Sequence, residues 1–250
     1  MKRQKEPIQV GPEDRVFVLT GAGVSAESGL KTFRDSGGLW EGHRVEDVAT
    51  PEGWAANAGQ VWRFYSERRK GASKAEPNPA HRALAALEQK LADRFFLVTQ
   101  NVDDLHERAG SQRVVHMHGE LFMSRCEHSN AGGMAGFGCD RPPFRDEAIY
   151  ETEAAIARCA CGGRIRPHIV WFGEIPLQMD RIQQEIGRST VMLVIGTSGA
   201  VYPAANFARW AGPRARKYYI GPEEPMNAPA FTRLVLGNAG EVLPGLIESE

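Results

Sequence analysis

The chain has 250 residues, 42% of them hydrophobic, with 30 Lys and Arg against 31 Asp and Glu and a formal net charge of −1. That apolar content suits one large α/β domain, or a main domain with a small insert, and excludes a chain that stays disordered. Near-neutrality removes any general electrostatic reason to bind nucleic acid or an anionic membrane, and polar Met1 to Gln9 lacks the apolar run of a secretory signal, so a soluble cytoplasmic chain without membrane or nucleic-acid partners is expected.

Arg15-Val-Phe-Val-Leu-Thr20 reads as a buried strand running into Gly21-Ala-Gly23 and then a helix. Phe33 to Pro79 is helical and loop-like, and Pro79 to Leu91 carries Leu84, Leu87 and Leu91 at helical spacing. Arg94 to Thr99, Val191 to Ile195 and Lys217 to Ile220 are further strands, whereas Phe122 to Arg166 is Gly-rich, Cys-bearing and aperiodic. Strands alternating with helices predict a doubly wound, mostly parallel, Rossmann-like α/β sheet covered on both faces. The large lobe is expected over residues 10–32, 80–121 and 167–250, and the insertions 33–79 and 122–166 are expected to form a small second lobe.

Gly21-Ala22-Gly23-Val-Ser-Ala26 matches the small-residue turn that lets backbone N–H groups approach a pyrophosphate at a helix start, though an ordinary tight turn fits such a short pattern about as well. A dehydrogenase is disfavoured, because no strand closed by an acidic residue follows; Thr32 to Trp40 reads instead as an arginine-bearing lid. Thr99-Gln-Asn-Val-Asp103 and Gly196-Thr-Ser198 sit at strand ends, where open α/β sheets bind ligands; Asp103 is equally suited to capping the helix that follows. His116 and His118 fall on the same side if the extended run Val114-Val115 continues through them. The four cysteines, Cys126, Cys139, Cys159 and Cys161, cluster in one stretch, which in a reducing compartment favours a metal site over disulfides.

Taken in order, Gly21-Ala-Gly-Val-Ser-Ala-Glu-Ser-Gly29, Phe33-Arg34, Thr99-Gln-Asn-Val-Asp103, His118-Gly119, Val170-Trp-Phe-Gly-Glu174 and Gly196-Thr-Ser198 resemble the sirtuin family, in particular its bacterial deacetylase and desuccinylase class. The resemblance implies an NAD-dependent protein-lysine deacylase whose acyl-lysine protein or peptide substrate enters a cleft between an NAD-binding domain and a zinc lobe; a monomer is expected. By that similarity Gly21, Ala22, Gly23, Ala26, Phe33, Arg34 and Trp40 wrap NAD, and Gln100, Asn101 and Asp103 surround nicotinamide and its ribose. Gly196, Thr197 and Ser198 line the adenosine side, and His118 is the general base, with Asn101 and Asp103 assisting. The implied chemistry joins the acyl oxygen to the ribose carbon as nicotinamide leaves, and ends in O-acyl-ADP-ribose and free lysine.

Tyr65 and Arg68, at i and i+3 on one helix face, look like the motif that holds the distal carboxylate of succinyl-lysine, although a solvated basic helix has the same pattern. Ala49 matches the small residue that widens the acyl pocket in that class, so dual acetyl and succinyl removal is expected. Val170, Trp171, Phe172 and Gly173 are expected to offer a strand edge to the peptide.

The chain departs from the family twice. Ser129 stands where a Cys-x-x-Cys partner of Cys126 belongs, and the second pair is Cys159-Ala-Cys161; the four thiols are still expected to hold one structural zinc ion, with His128 in reserve, against the alternative of a metal-free lobe. Gly221 replaces an Asn that contacts the adenosine ribose, leaving that contact to Pro222, Glu223 or Ala239. The competing readings are an NAD-dependent mono-ADP-ribosyltransferase and a non-catalytic NAD or acyl-lysine binding module.

Overall fold

The computed structural model describes residues 6–31, 39–40, 42–129 and 138–249. Six parallel strands make the main sheet: β1 (Val16–Thr20), β2 (Phe95–Thr99), β3 (Val114–His116), β7 (Val191–Ile195), β8 (Arg216–Gly221) and β9 (Arg233–Leu236), in the order β9-β8-β7-β1-β2-β3. The chain builds outward from β1 to β3 on one side, then returns to β7 and builds outward on the other. The order therefore reverses between β1 and β7, and in such sheets a crevice opens at the strands' carboxyl ends there.

Alternate residues of the central strands enter different cores, and both cores are apolar. Val16, Val18, Leu193 and Ile195 pack with Leu84, Leu87 and Leu91 of the helix Pro79–Leu91. Phe17, Leu19, Met192 and Val194 pack on the other face with Ile182 and Ile186 of the helix Met179–Arg188. Burial on both faces is why these strands read as unbroken apolar runs. Asn78 caps the Pro79–Leu91 helix, accepting from Ala80 N at 2.9 Å, while its amide donates to Val24 O at 2.7 Å and Ser28 Oγ at 3.0 Å. The cap thus ties that helix to the short helix Ala22–Ala26 that follows the glycine turn.

A smaller sheet orders β4 (Gly119–Cys126), β5 (Phe144–Arg145) and β6 (Ile165–Ile169) as β5-β4-β6, all antiparallel. The helix Ala58–Lys74 lies against it, with Val61, Trp62, Phe64 and Tyr65 in one core with Leu121, Ile165 and Trp171. Trp62 Nε1 donates to Ile165 O at 2.9 Å. Arg69 is almost fully buried, donating to Leu121 O at 2.8 Å and Ala148 O at 2.7 Å and pairing with Asp146 at 3.5 Å. No helix among the described residues is long and apolar enough to cross a membrane.

Candidate active site

Strand ends set the floor of the site. Gly21 N donates to Ile195 O at 2.9 Å and Gly23 N to Gly196 O at 2.8 Å, stitching the glycine turn to the end of β7. A Cβ at Gly21 would lie 2.8 Å from Gly196 O and from Thr197 Cβ, and one at Gly23 would lie 2.8 Å from Gly196 O. Glycine is therefore required at both positions, and the close approach leaves a cleft of about 760 Å³ above Gly21, Ala22, Gly23 and Ala26. Phe33 and Arg34 lie outside the described residues.

At the end of β2, Gln100 Nε2 donates to Thr197 Oγ1 at 3.1 Å, bridging the two predicted strand-end motifs across the cleft. Asn101 is held from below, its N–H donating to Thr99 Oγ1 at 3.0 Å and its amide to Ser25 Oγ at 2.9 Å. Burial pushes the Asp103 carboxyl up, against hydrogen bonds from Ser25 and from Leu105 N. Asp103 thus lines the cleft and also accepts from the first residue of the helix Leu105–Arg108, so the ligand and capping expectations meet in one side chain. Ser25, which links Asn101 to Asp103, carried no separate signal inside the glycine motif.

His118 faces the same cleft. Its Nδ1–H donates to Gln100 O at 3.1 Å, leaving Nε2 as the proton-accepting nitrogen. Burial pushes its pKa below the ordinary value, only partly offset by the bond to Gln100, so the imidazole is neutral and basic at neutral pH. Gly119 follows at φ +85, and a Cβ there would run into the His168 carbonyl. The turn at Met117 and His118 ends the alternation, and the two histidines part company. His116 is the last residue of β3 and contacts Asn101 O and Glu107 on the far side of the 101–103 segment, lining a separate cavity of about 310 Å³.

At the opposite end of the cleft lie Tyr65 and Arg68. Tyr65 is fully buried, and its hydroxyl accepts from Trp171 Nε1 at 3.1 Å. The Arg68 guanidinium stacks 4.4 Å over the Trp40 ring, which also meets Phe64, and Trp40 lines the same cleft as the glycine turn. Ala49 is buried among them and lines the cleft.

The expected strand edge at Val170, Trp171, Phe172 and Gly173 is instead a turn after β6. Val170 N is committed to His118 O at 2.8 Å and Phe172 N to Ala49 O at 3.0 Å, and Gly173 has φ +90. The turn is closed by Glu174, whose carboxylate accepts from Trp171 N at 2.8 Å. That carboxylate also receives Arg125 at 3.1 Å and Arg166 at 2.7 Å, with Arg166 stacked 3.2 Å from the Trp171 ring. Burial lowers both arginines, Arg125 to about 10.

The remaining end is lined by Ser198, Tyr219, Gly221, Pro222, Glu223 and Ala239. A Cβ on Gly221 would overlap the Tyr219 hydroxyl oxygen. The tyrosine, two residues earlier on the same face of β8, has folded into the space a side chain at 221 would take. The sequence alone drew no attention to Tyr219.

In the small lobe, Cys126, Cys139, Cys159 and Cys161 converge with all four sulfurs within 4.8 Å of one another. Cys126 and Cys161 lie 3.4 Å apart and Cys139 and Cys159 3.6 Å apart. Four thiolates at roughly 2.3 Å from one tetrahedral zinc ion lie roughly 3.8 Å from each other, so the cluster fits that ion despite the altered spacing. His128 Nδ1 is 3.7 Å from Cys161 Sγ, beside the cluster. Ser129 contributes backbone contacts, a bridge to Cys139 and an N–H bond to Cys126 O at 3.1 Å.

Comparison with known proteins agrees with this architecture. The chain is 48% identical over 240 residues to an NAD-dependent protein deacylase of Caulobacter vibrioides, covering 94% of this chain and 95% of the relative. It is 47% identical to an NAD-dependent protein deacylase of Salmonella typhimurium, covering 94% and 83%. Among solved structures it resembles a Sir2 homologue in complex with NAD, at 39% identity and a TM-score of 0.80, over 94% of this chain and 88% of that one. Residues 21–203 match the Sir2 family model, and with these relatives the match establishes that the chain belongs to the Sir2 family.

Proposed function

We propose that the protein is an NAD-dependent protein-lysine deacylase that removes both acetyl and succinyl groups. One observation carries the reading: a single cleft joins the glycine turn, the basic face of His118 and the Tyr65–Arg68 pair. A dinucleotide, a general base and a carboxylate-recognising pocket are thereby brought within one substrate's reach.

Gly21, Ala22, Gly23 and Ala26 hold the NAD pyrophosphate, with Gly196, Thr197, Ser198 and Ala239 on the adenosine side and Gln100, Asn101 and Asp103 on the nicotinamide side. Bound NAD supplies an electrophilic ribose carbon whose bond to nicotinamide breaks as the acyl oxygen arrives. His118, with Nδ1–H fixed by Gln100 O, presents Nε2 to take a hydroxyl proton and later return it. Asn101, locked through Ser25 and Thr99, keeps its amide and carbonyl in place without reorganisation during the reaction.

The acyl end follows from its hydrogen-bond inventory. Trp171 N–H occupies an acceptor position on the Tyr65 oxygen, so the Tyr65 O–H is left to donate, and Arg68 supplies a planar cation. A succinyl carboxylate matches both; an acetyl group fits the same space without using them. The four cysteines hold one structural zinc ion, as their thiolate set and spacing suit.

The test pairs one peptide carrying succinyl-lysine or acetyl-lysine with the protein, with and without NAD, and follows free lysine peptide and O-acyl-ADP-ribose by mass spectrometry. Both groups are removed only with NAD. Arg68→Met reduces kcat/KM for succinyl by about 30-fold or more, as expected for loss of a charge-assisted hydrogen bond, and for acetyl far less. Equal losses on the two peptides, or no NAD-dependent turnover, would overturn the reading.

A further inference from the structure

His116 is not part of the cleft, yet both of its ring nitrogens face acceptors. Nδ1 lies 3.0 Å from Asn101 O, and Nε2 lies 2.8 Å from a Glu107 carboxylate oxygen. A backbone carbonyl cannot donate, and a carboxylate accepts through both oxygens. A neutral imidazole has a single N–H and leaves one contact as a lone-pair repulsion, whereas the imidazolium satisfies both.

His118 makes the contrast plain, because its Nδ1 is bonded to the preceding carbonyl, Gln100 O, while Nε2 opens to the cleft. Two histidines thus hold consecutive carbonyls from opposite sides of one segment. We propose that His116 is a positioning residue that works as a buried imidazolium at neutral pH, clamping the Asn101 carbonyl to Glu107 and so fixing the 101–103 segment that carries Asn101 and Asp103. Its bearing on catalysis rests on the deacylase reading and on the nicotinamide-side role of those two residues.

The charges around the ring agree with a cation. Glu107 lies on the helix Leu105–Arg108, Glu120 on β4 and Asp103 on the intervening turn, and all three favour the charged form. His106 on the same helix and His168 on β6 also face it; burial holds both neutral, His168 at about 4. Arg108 and Arg145 line the adjoining cavity and oppose the charge from further out. Burial alone lowers the His116 pKa, and the Glu107 contacts reverse that, leaving it above the ordinary value. A neutral Asn101 clamp, formed above that pKa, loses one of its two bonds.

The experiment is an NMR titration of the imidazole Cε1–H signals of the full chain, alongside the pH dependence of kcat/KM for NAD with an acetyl-lysine peptide. The His116 signal, identified by its loss in His116→Gln, titrates above a free histidine side chain in the same buffer, and Glu107→Gln lowers its midpoint. The wild-type kcat/KM falls on the alkaline side with that midpoint; the limb moves down in Glu107→Gln and is missing in His116→Gln, whose neutral-pH value is lower on the order of tenfold. A His116 midpoint below pH 7 leaves the ring mostly neutral there and overturns the charge assignment. An alkaline limb unmoved by Glu107→Gln, a variant at a partly exposed position, overturns the positioning role. If no acyl peptide turns over, the deacylase reading fails, and the NMR arm still decides the state of His116.

Discussion

Glu174→Gln isolates the contribution of one buried charge. The Glu174 side chain is 5% exposed, between Arg125 at 3% and Arg166 at 7%. Two guanidinium groups therefore share one carboxylate, and removing its charge takes away the shared counter-ion while the two cations still repel each other. Breaking a buried pair in this way costs about 3–5 kcal/mol. Glutamine keeps one carbonyl oxygen as an acceptor, so the lower end, about 3 kcal/mol, is expected. For a chain of this size that corresponds to a fall in Tm of roughly 6–12 °C.

Thermal unfolding without NAD at neutral pH measures the loss directly. Trp171 N–H and the two guanidinium groups then compete for the one remaining carbonyl oxygen, so the 171–174 turn loosens and succinyl removal suffers with it. A Tm within about 2 °C of wild type would show that solvent reaches the arginines and that the network is not the low-dielectric cluster its geometry implies.

Because burial holds the His118 pKa below its ordinary value, the base is neutral at pH 7 and deacylation shows no acid-side decline until that depressed pKa is reached; a rate that drops as the pH is lowered from 8 to 7 would contradict this. Zinc removal with a strong chelator, or Cys161→Ser, should release one equivalent of metal and lower Tm by several degrees, since a structural zinc ion couples directly to folding. Elemental analysis showing no zinc in freshly purified protein would favour a metal-free lobe.

The sequence was most informative where both faces of an element are buried. Val16–Thr20 and Val191–Ile195 stand out as apolar runs because neither face meets water, and the structure places both at the centre of the sheet. The strand Arg233–Leu236 stayed hidden because it lies at the sheet edge, short and mixed in polarity, and the Ile8–Val10 pairing with Ile247–Ser249 joins segments from the two ends of the chain. At the site, motif residues were legible by type, but their directions were not. Periodicity put His116 and His118 together, and the turn at Met117 and His118, just before Gly119, separates them. The apolar run Val170 to Glu174 read as a strand because nothing in its spacing discloses the distant Arg125 that helps tie it into a turn. Arg68 and Arg69 are adjacent, and only helix rotation, about 100° per residue, sends one to the cleft and the other into the protein.

Tyr219 and Gly221 share one parcel of space, and that makes them a single heritable decision. A larger residue at 221 requires the Tyr219 ring to move, since its first carbon would overlap the phenol oxygen at the tip of that side chain. A smaller residue at 219 opens a gap that a bare glycine does not fill. Each position therefore weighs on the other, and a library that randomises 219 and 221 together should recover side chains at 221 that are rarer when 221 is randomised alone.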